Sequence, residues 1–499
     1  MTRRDSQHDP LAEPPGTGAP PVFPDPTPLL VASGLEPDQV VRILGPYGVA
    51  NPAEADANIQ SMAGEPHTRR LLAAILPRLL AEVARTADPD QALNHWERLF
   101  TGSATRSSLL QYLQASPRML GLLCTIFGNS DSLAFALIRD PMLVYWLAEE
   151  DVLTTAPTRD GMVAALRQSL GSLKATELKL DVLRRVRRRE MLRIGVRDLL
   201  RLATVEETVG SLSDLASVLI HGAYEIVDKD LKAQHGTPMH QRTDGTWVET
   251  EFVVIGMGKL GAHELNYSSD VDLIYVYASA DGETRKGKSH RQADIEPLSN
   301  EEYFEMLARA LTKALAEQTR EGAVFRVDLR LRAEGTVGQL ARSVEAYAKY
   351  YAQRGQVWER LALLKAWPVA GSRAVGQAFV QMAEGFVFQP DPQPLTRERA
   401  LALIREVRSV KEMIDEKIAI RGHQHRNVKL GTGGIREIEF LVQTIQVLIG
   451  KAVPDILDRK TVGALHRFCR YRFVNEDDQQ RLTEAYWFLR DVEHKLQMM

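Results

Sequence analysis

Two stretches, Val253-Val-Ile-Gly-Met-Gly-Lys-Leu-Gly261 and Ser268-Ser-Asp-Val-Asp-Leu-Ile-Tyr-Val-Tyr277, decide how this chain is read. The run from Val248 to Ile255 is rich in β-branched residues and stops at Gly256, which predicts a strand closing on a turn. Val271 to Tyr277 predicts a second strand. Asp270 and Asp272 stand two residues apart, so on an extended backbone both carboxylates leave from one face. Two like charges that close raise each other's pKa unless a cation sits between them. Hard oxygen ligands of this kind suit Mg²⁺, which takes a few carboxylates together with phosphate oxygens.

The glycines between the two strands extend this reading. Gly256 and Gly258 would let backbone N–H groups approach a phosphate or triphosphate, with Lys259 and Ser268 or Ser269 as further donors. The same residues spell Gly256-x-Gly258-x-x-Gly261, the dinucleotide-binding pattern, but the context argues against it. That pattern needs a crossover helix and an acid at the end of the next strand. Only about nine residues separate Gly261 from Asp270, too few for such a crossover, and the acids precede their strand. Farther on, Val324 to Arg332 alternates and predicts a third strand. Phe325, Val327, Leu329 and Leu331 face one way; Arg326, Asp328, Arg330 and Arg332 face the other. Asp328 becomes a third acid, and three arginines around it suit an anion. A surface salt-bridge ladder is the competing reading of that face, and which arginine points inward stays open.

The rest of the sequence frames this centre. A length of 499 residues predicts two to three domains. A net charge of −3 supplies no global basic field to draw the chain to nucleic acid. No stretch reaches the roughly 18 apolar residues that span a bilayer. Two distant cysteines, Cys124 and Cys469, point away from a disulfide framework or a zinc site and toward a reducing cytoplasm. Arg3-Arg4 is followed by no apolar stretch, so residues 1–28 read as a disordered Pro-rich tail. From Leu29 to Gly236 the pattern is helical. Leu71, Leu72, Ile75, Leu76, Leu79 and Leu80 recur at helical spacing, as do Leu109, Leu110 and Leu113.

A long helix is predicted over Glu177 to Ala203. Its basic run of Arg184, Arg185, Arg187, Arg188 and Arg189 reads as a solvated or domain-bridging surface, with a phosphorylated or acidic partner as the other reading. Asp281 to Glu296 reads as a surface loop. Ser299 with Glu302 predicts a capping box opening a helix, with Phe304, Leu307, Ala308, Leu311 and Leu315 buried and Gly322 closing it. Trp358-Glu359-Arg360 and Lys365 are assigned to an amphipathic helix as core-edge pairs, with substrate or fold-clamping residues as the other reading. His423-x-His425 reads as a polar connector, and His8-Asp9 falls in the tail. Further helices are predicted over Glu398–Ile420, Ile435–Ile449 and Asp478–Met499, the last still helical where the sequence stops. The expected class is α+β and mostly helical. The expected domains are residues 29–245 (helical), 246–371 (the acids and a small mixed sheet) and 372–499 (a helical bundle, incomplete at its C-terminus).

In its motifs the chain resembles the bifunctional glutamine synthetase adenylyltransferase/adenylyl-removing enzymes. The resemblance rests on Gly256-Met-Gly-Lys-Leu-Gly with Glu264-Leu-Asn-Tyr-Ser-Ser-Asp-Val-Asp-Leu, Phe325-Arg-Val-Asp-Leu-Arg-Leu-Arg, Trp358-Glu-Arg-Leu-Ala-Leu-Leu-Lys-Ala, Val428-Lys-Leu-Gly-Thr-Gly-Gly-Ile-Arg-Glu-Ile-Glu-Phe and Leu192-Arg-Ile-Gly-Val-Arg-Asp-Leu. It covers roughly residues 100 to 499. Ala333, where the family usually has Pro, and Trp367, where it often has Arg, depart from it. The resemblance implies a polymerase-β-like nucleotidyltransferase domain between helical domains, placed as in the N-terminal half, which removes AMP from a tyrosine of glutamine synthetase. By that resemblance the reaction is a Mg²⁺-dependent phosphorolysis releasing ADP in the control of nitrogen assimilation. Asp270, Asp272 and Asp328 would hold the metal, and Lys259, Arg326, Arg330 and Arg332 would relieve phosphate charge. The implied partners are adenylylated glutamine synthetase, ADP or ATP and inorganic phosphate, with a PII-type signal protein as a further candidate. The residues alone do not separate removal of AMP from its transfer from ATP. A non-catalytic regulatory module is the reading from another class.

Overall fold

Proline and glycine punctuate the N-terminal part of the chain, and the helices follow that punctuation. In the computed structural model, residues 22–31, 35–102, 106–285, 296–388, 396–419 and 427–499 are described. The helices Pro37–Leu44, Pro52–Ala63, Pro66–Val83, Pro89–Thr101 and Pro117–Phe127 each begin on a proline. There its missing N–H costs nothing and its fixed φ already suits the helix. Asn51 and Asp88 cap two of them by accepting from the N–H groups of Glu54 and Gln91. Trp96 meets Phe100 and Phe127 ring to ring, all three fully buried, and Leu72, Leu76, Leu79 and Leu80 of the Pro66–Val83 helix are fully buried too. These helices belong to the first of two compact units, formed by the described residues within 1–156, 188–204 and 496–499.

The second unit, residues 157–187 and 205–495, holds both sheets. Three short strands, β1 (Thr237–Gln241), β2 (Trp247–Glu249) and β5 (Glu283–Arg285), form an antiparallel sheet in the order β2-β1-β5. The main sheet contains β3 (Phe252–Gly256), β4 (Val271–Tyr277), β6 (Val327–Asp328), β7 (Ala341–Ser343) and β8 (Trp367–Gly371). β3 lies antiparallel between β4 and β8. The far edge of β4 is shared: β6 pairs parallel with its first residues and β7 parallel with its last. One sheet face packs Val253, Ile255, Ile274 and Val276 against Tyr347 and Phe379. From the other, Phe252 and Tyr277 stack on Phe304 of the Asn300–Ala316 helix. C-terminal to the sheet come the helices Arg373–Phe388, Arg397–Ala419, Ile435–Ile449, Thr461–Arg470 and Glu476–Met498. The α+β, mostly helical class is what the sequence predicts.

Several expected elements come out differently. The single strand from Val248 to Ile255 divides at Thr250–Glu251 into β2 and β3, which belong to different sheets. The Asp281–Glu296 loop contributes β5. The capping box at Ser299 forms, with Ser299 accepting from the Glu302 N–H, but the helix ends at Ala316; Gly322 instead sits in a tight turn with Thr319. Lys365 lies beyond the end of the Val357–Leu363 helix. The long basic helix runs Thr176–Leu199. The largest correction is the strand expected over 324–332, of which only Val327 and Asp328 pair. Arg330 turns its backbone N–H onto the Asp328 carboxylate at 2.8 Å, and Glu334 takes a left-handed φ of 62°. The chain therefore loops out before β7 resumes the sheet edge. Residues 1–21, with Arg3-Arg4 and His8-Asp9, and the His423-x-His425 segment lie outside the described residues.

Candidate active site

Parallel pairing of β4 with β6 sets Val271 opposite Val327 and Asp272 opposite Asp328. Asp270, one residue ahead of β4, stands at the same end of the sheet. The antiparallel β3 ends here too, and the Met257 N–H donates to the Asp272 carbonyl at 2.9 Å. A glycine is required next. Gly258 has a φ of +53°, and a Cβ there would fall 2.9 Å from Asp272 Oδ2, so only glycine lets that carboxylate lie against the turn. The Gly258–Gly261 helix that follows is a single turn, and β3 and β4 are antiparallel neighbours. This rules out the parallel crossover that a dinucleotide site needs.

The three acids differ in environment. Asp270 is half-exposed and receives Arg326 Nε at 2.5 Å, while the same guanidinium reaches the Ser268 carbonyl at 2.6 Å. Asp328 is mostly buried and held by Arg330 through Nε at 2.9 Å and Nη2 at 2.5 Å. The Arg330 hydrogen bonds, working against partial burial, keep its carboxyl below the usual range. Asp272 is the opposite case. Burial first, and then the neighbouring charges of Asp328 and Asp270, push its carboxyl up to about 6. Arg326 and Arg330 are 67% and 75% exposed, so both can leave the acids for another anion at little cost.

This donor set fits a hard divalent cation. Two carboxylates, Asp328 and Asp270, neighbour a partly buried carboxyl whose ionisation is penalised, and a cation would offset that penalty. Among the described residues no three His, Cys, Asp or Glu side chains are already gathered as a metal cage; Arg326 and Arg330 hold oxygens of two of the acids.

The other expected phosphate-binding residues separate. Gly256 is inside the sheet, in register with Leu273 and Trp367, and takes no part at the acids. Arg332 is buried, and its guanidinium donates to the carbonyls of Leu329, Thr336 and Gly338. It shapes the loop after β6 and is removed from the phosphate set. Ser268 and Ser269 adjoin Asp270, Ser268 exposed and Ser269 partly so. Lys259 is mostly buried and donates to both oxygens of Glu493 at 2.7 Å. Burial, then the positive charge of Arg490, lowers it to about 8 against the opposing pull of Glu493.

Lys259 belongs to a buried network that fixes the glycine turn and the Glu264-Leu-Asn266 segment. Glu493 accepts from Asn266 at 2.5 Å. Arg490, fully buried, donates to the Glu264 carbonyl, to Asn266 Oδ1 and to Tyr486. The Glu264 carboxylate accepts from Tyr486 at 3.0 Å and from the Thr461 N–H at 2.8 Å. Lys365 bridges Glu264 at 3.8 Å and Glu439 at 2.9 Å. At Gly261 a Cβ would meet the Lys365 carbonyl at 1.8 Å, so this turn is seated directly on backbone.

Residue-by-residue reading of the sequence passes over Glu439, Arg490, Glu493 and also Lys429. The charge of Lys429 acts on Asp272, Lys259 and Glu493. The one sequence signal for Lys429 and Glu439 is their place in the Val428–Phe440 block.

Comparison with known proteins agrees with these motifs. Residues 120–382 match the family described as glutamate-ammonia ligase adenylyltransferase, and residues 408–499 match GlnD PII-uridylyltransferase. Three similar proteins bear the name bifunctional glutamine synthetase adenylyltransferase/adenylyl-removing enzyme. That of Nitrosococcus oceani is 37% identical over 380 residues, 76% of this chain and 37% of the relative. That of Mesorhizobium japonicum is 35% identical over 397 residues, 78% of this chain and 38% of the relative. That of Rhizobium meliloti is 39% identical over 324 residues, 64% and 30% respectively. The chain spans less than two fifths of the length of these relatives.

Proposed function

This chain belongs to the glutamate-ammonia ligase adenylyltransferase family, and from that membership we propose that its second unit removes AMP from an adenylyl-tyrosine of glutamine synthetase by phosphorolysis. The supporting observation is the register of Asp272 with Asp328 beside Asp270, three acids at one sheet end with the central one raised to about 6. Such a set suits a hard cation, and Mg²⁺ held by Asp270, Asp272 and Asp328 would offset charge at the adenylyl phosphate. Asp328 either completes the metal set or orients the attacking phosphate.

The chain's own residues supply the rest. Gly258 keeps the space in front of Asp272 clear of a side chain. Arg326 and Arg330, paired to acids at the surface, would exchange those carboxylates for phosphate oxygens, which a planar guanidinium binds through two donors. The Lys259–Glu493 bridge and the Arg490 cluster hold the turn that presents Asp270 and Asp272. The motif resemblance, which implies the N-terminal half of that family, favours removal over transfer. The action is assigned to the cytoplasm. Among the described residues no helix is long and apolar enough to cross a membrane.

The test mixes the chain with adenylylated glutamine synthetase, Mg²⁺ and inorganic phosphate and measures ADP. ADP release that requires phosphate is expected. Loading of unmodified synthetase with AMP from ATP would reverse the assigned direction. Silence in both assays would leave a binding module. A PII-type protein enters the same assay as a candidate modulator of the rate.

A further inference from the structure

The basic run of the Thr176–Leu199 helix does not behave as one surface. Arg184 pairs with Asp181 at 2.9 Å, and Arg185 reaches Glu321 at 3.7 Å. Arg187 differs from both. Its guanidinium carbon lies 5.3 Å from the centre of the Phe325 ring, and its Nε, like the Nε and Nη2 of Arg184, is buried with no hydrogen-bond partner. Among the described residues no carboxylate pairs with it. Phe325 is followed by Arg326, whose guanidinium spans Asp270 and Ser268. Burial pushes the Arg187 pKa down; Tyr267 opposes this and the charge of Arg326 adds to it. A partly buried guanidinium without a counter-ion, feeling the charge of a second guanidinium, is unfavourable unless an anion joins them. The Phe325 ring contacts the guanidinium without using any of its N–H donors, which a ligand anion could take.

We propose that Arg187 and Arg326 form an anion subsite beside Asp270 that holds inorganic phosphate, the attacking group of the reaction. The inference rests on the phosphorolytic reading and deepens it. A phosphate oxygen bonds to the adenylyl phosphorus, the bond from that phosphorus to the tyrosine oxygen breaks, and the proton of hydrogen phosphate ends on the tyrosine. The bound phosphate thereby becomes the β-phosphate of ADP. The subsite must then hold the terminal phosphate of ADP as well, and AMP, which lacks that group, must not need it.

The test is equilibrium binding of inorganic phosphate, ADP and AMP to the full chain with Mg²⁺ present, comparing wild type with Arg187→Gln, Arg187→Lys and Arg326→Gln. Arg187→Gln should weaken phosphate and ADP about tenfold or more, the loss of one charge-assisted contact, and leave AMP unchanged. Arg187→Lys keeps the charge without the planar fork and should fall between; it is the variant to read if the glutamine form does not fold. Wild-type-like phosphate binding in these variants overturns the proposal, as does an equal loss of AMP, or a wild-type chain that binds no phosphate. The two readings fail separately. Loss of phosphate binding in Arg187→Gln without any ADP release by wild type leaves the subsite and removes the reaction. Phosphate-dependent ADP release with an unchanged KM for phosphate in Arg187→Gln leaves the reaction and removes the subsite.

Discussion

Two groups of charges in the second unit meet the same cost of burial and resolve it in opposite ways. In the buried network, Glu264, Glu439 and Glu493 face Lys259, Lys365 and Arg490. Burial alone would raise Glu439, yet the attraction and hydrogen bond of Lys365 bring it down to about 2. At the sheet end, the first neighbour of Asp272 is another acid, and the same kind of burial carries it up to about 6. A matched network has no use for a ligand and serves as scaffold. An unmatched one is where the proposed cation would bind.

That contrast can be broken or sharpened by substitution. The largest effect is expected at Asp272. Asp272→Asn should lower phosphate-dependent ADP release by about a thousandfold or more, as removal of a group that organises transition-state charge does. Its circular dichroism should match wild type, and turnover near the wild-type rate would remove the assignment. Next is the scaffold. Arg490→Met strips a donor from the Glu264 carbonyl, Asn266 and Tyr486 at once, and denaturant unfolding should show a loss of about 3–5 kcal/mol, the usual result of breaking a buried charge cluster. A loss below about 1 kcal/mol would mean the cluster is not holding the turn.

The pH dependence is smaller and has a fixed sign. Folding raises the Asp272 pKa from 3.8 to about 6, so the native state binds this proton more tightly than the unfolded chain. Without metal, its contribution to stability is present at low pH and is lost as pH rises through that interval. Asp272→Asn should therefore melt higher than wild type above pH 6, without metal, and the two should converge at low pH. Apparent Mg²⁺ affinity should weaken as pH falls below about 6, where a proton competes for the carboxylate. The smallest effect belongs to Arg330→Gln. Its exposed ion pair should change stability by no more than about 1 kcal/mol, while the Asp328 pKa, followed by NMR, rises back toward the usual range.

What the sequence reveals of this centre follows from how local each signal is. β4, the Ser299 capping box and the Asp270–Asp272 spacing are written in consecutive residues, and periodicity finds them. The 324–332 strand fails because alternation in sequence does not require a ladder partner; the Asp328 and Arg332 side chains capture the backbone instead. β1 and β5 are short and lie in stretches read as a helix boundary and a loop. Glu439, Arg490 and Glu493 pair with residues far away along the chain, and nothing local marks such pairings. Arg187 was legible as part of a basic run, but its distinction from Arg184 and Arg185 appears only when their partners are seen.

The most direct test of the contrast is Mn²⁺ binding, followed by electron paramagnetic resonance as a stand-in for Mg²⁺, to wild type, Asp272→Asn and Lys365→Met. Wild type and Lys365→Met should bind the ion, and Asp272→Asn should not. Equal binding by Asp272→Asn, or binding lost only in Lys365→Met, would contradict the division of the two charge groups into cation site and scaffold.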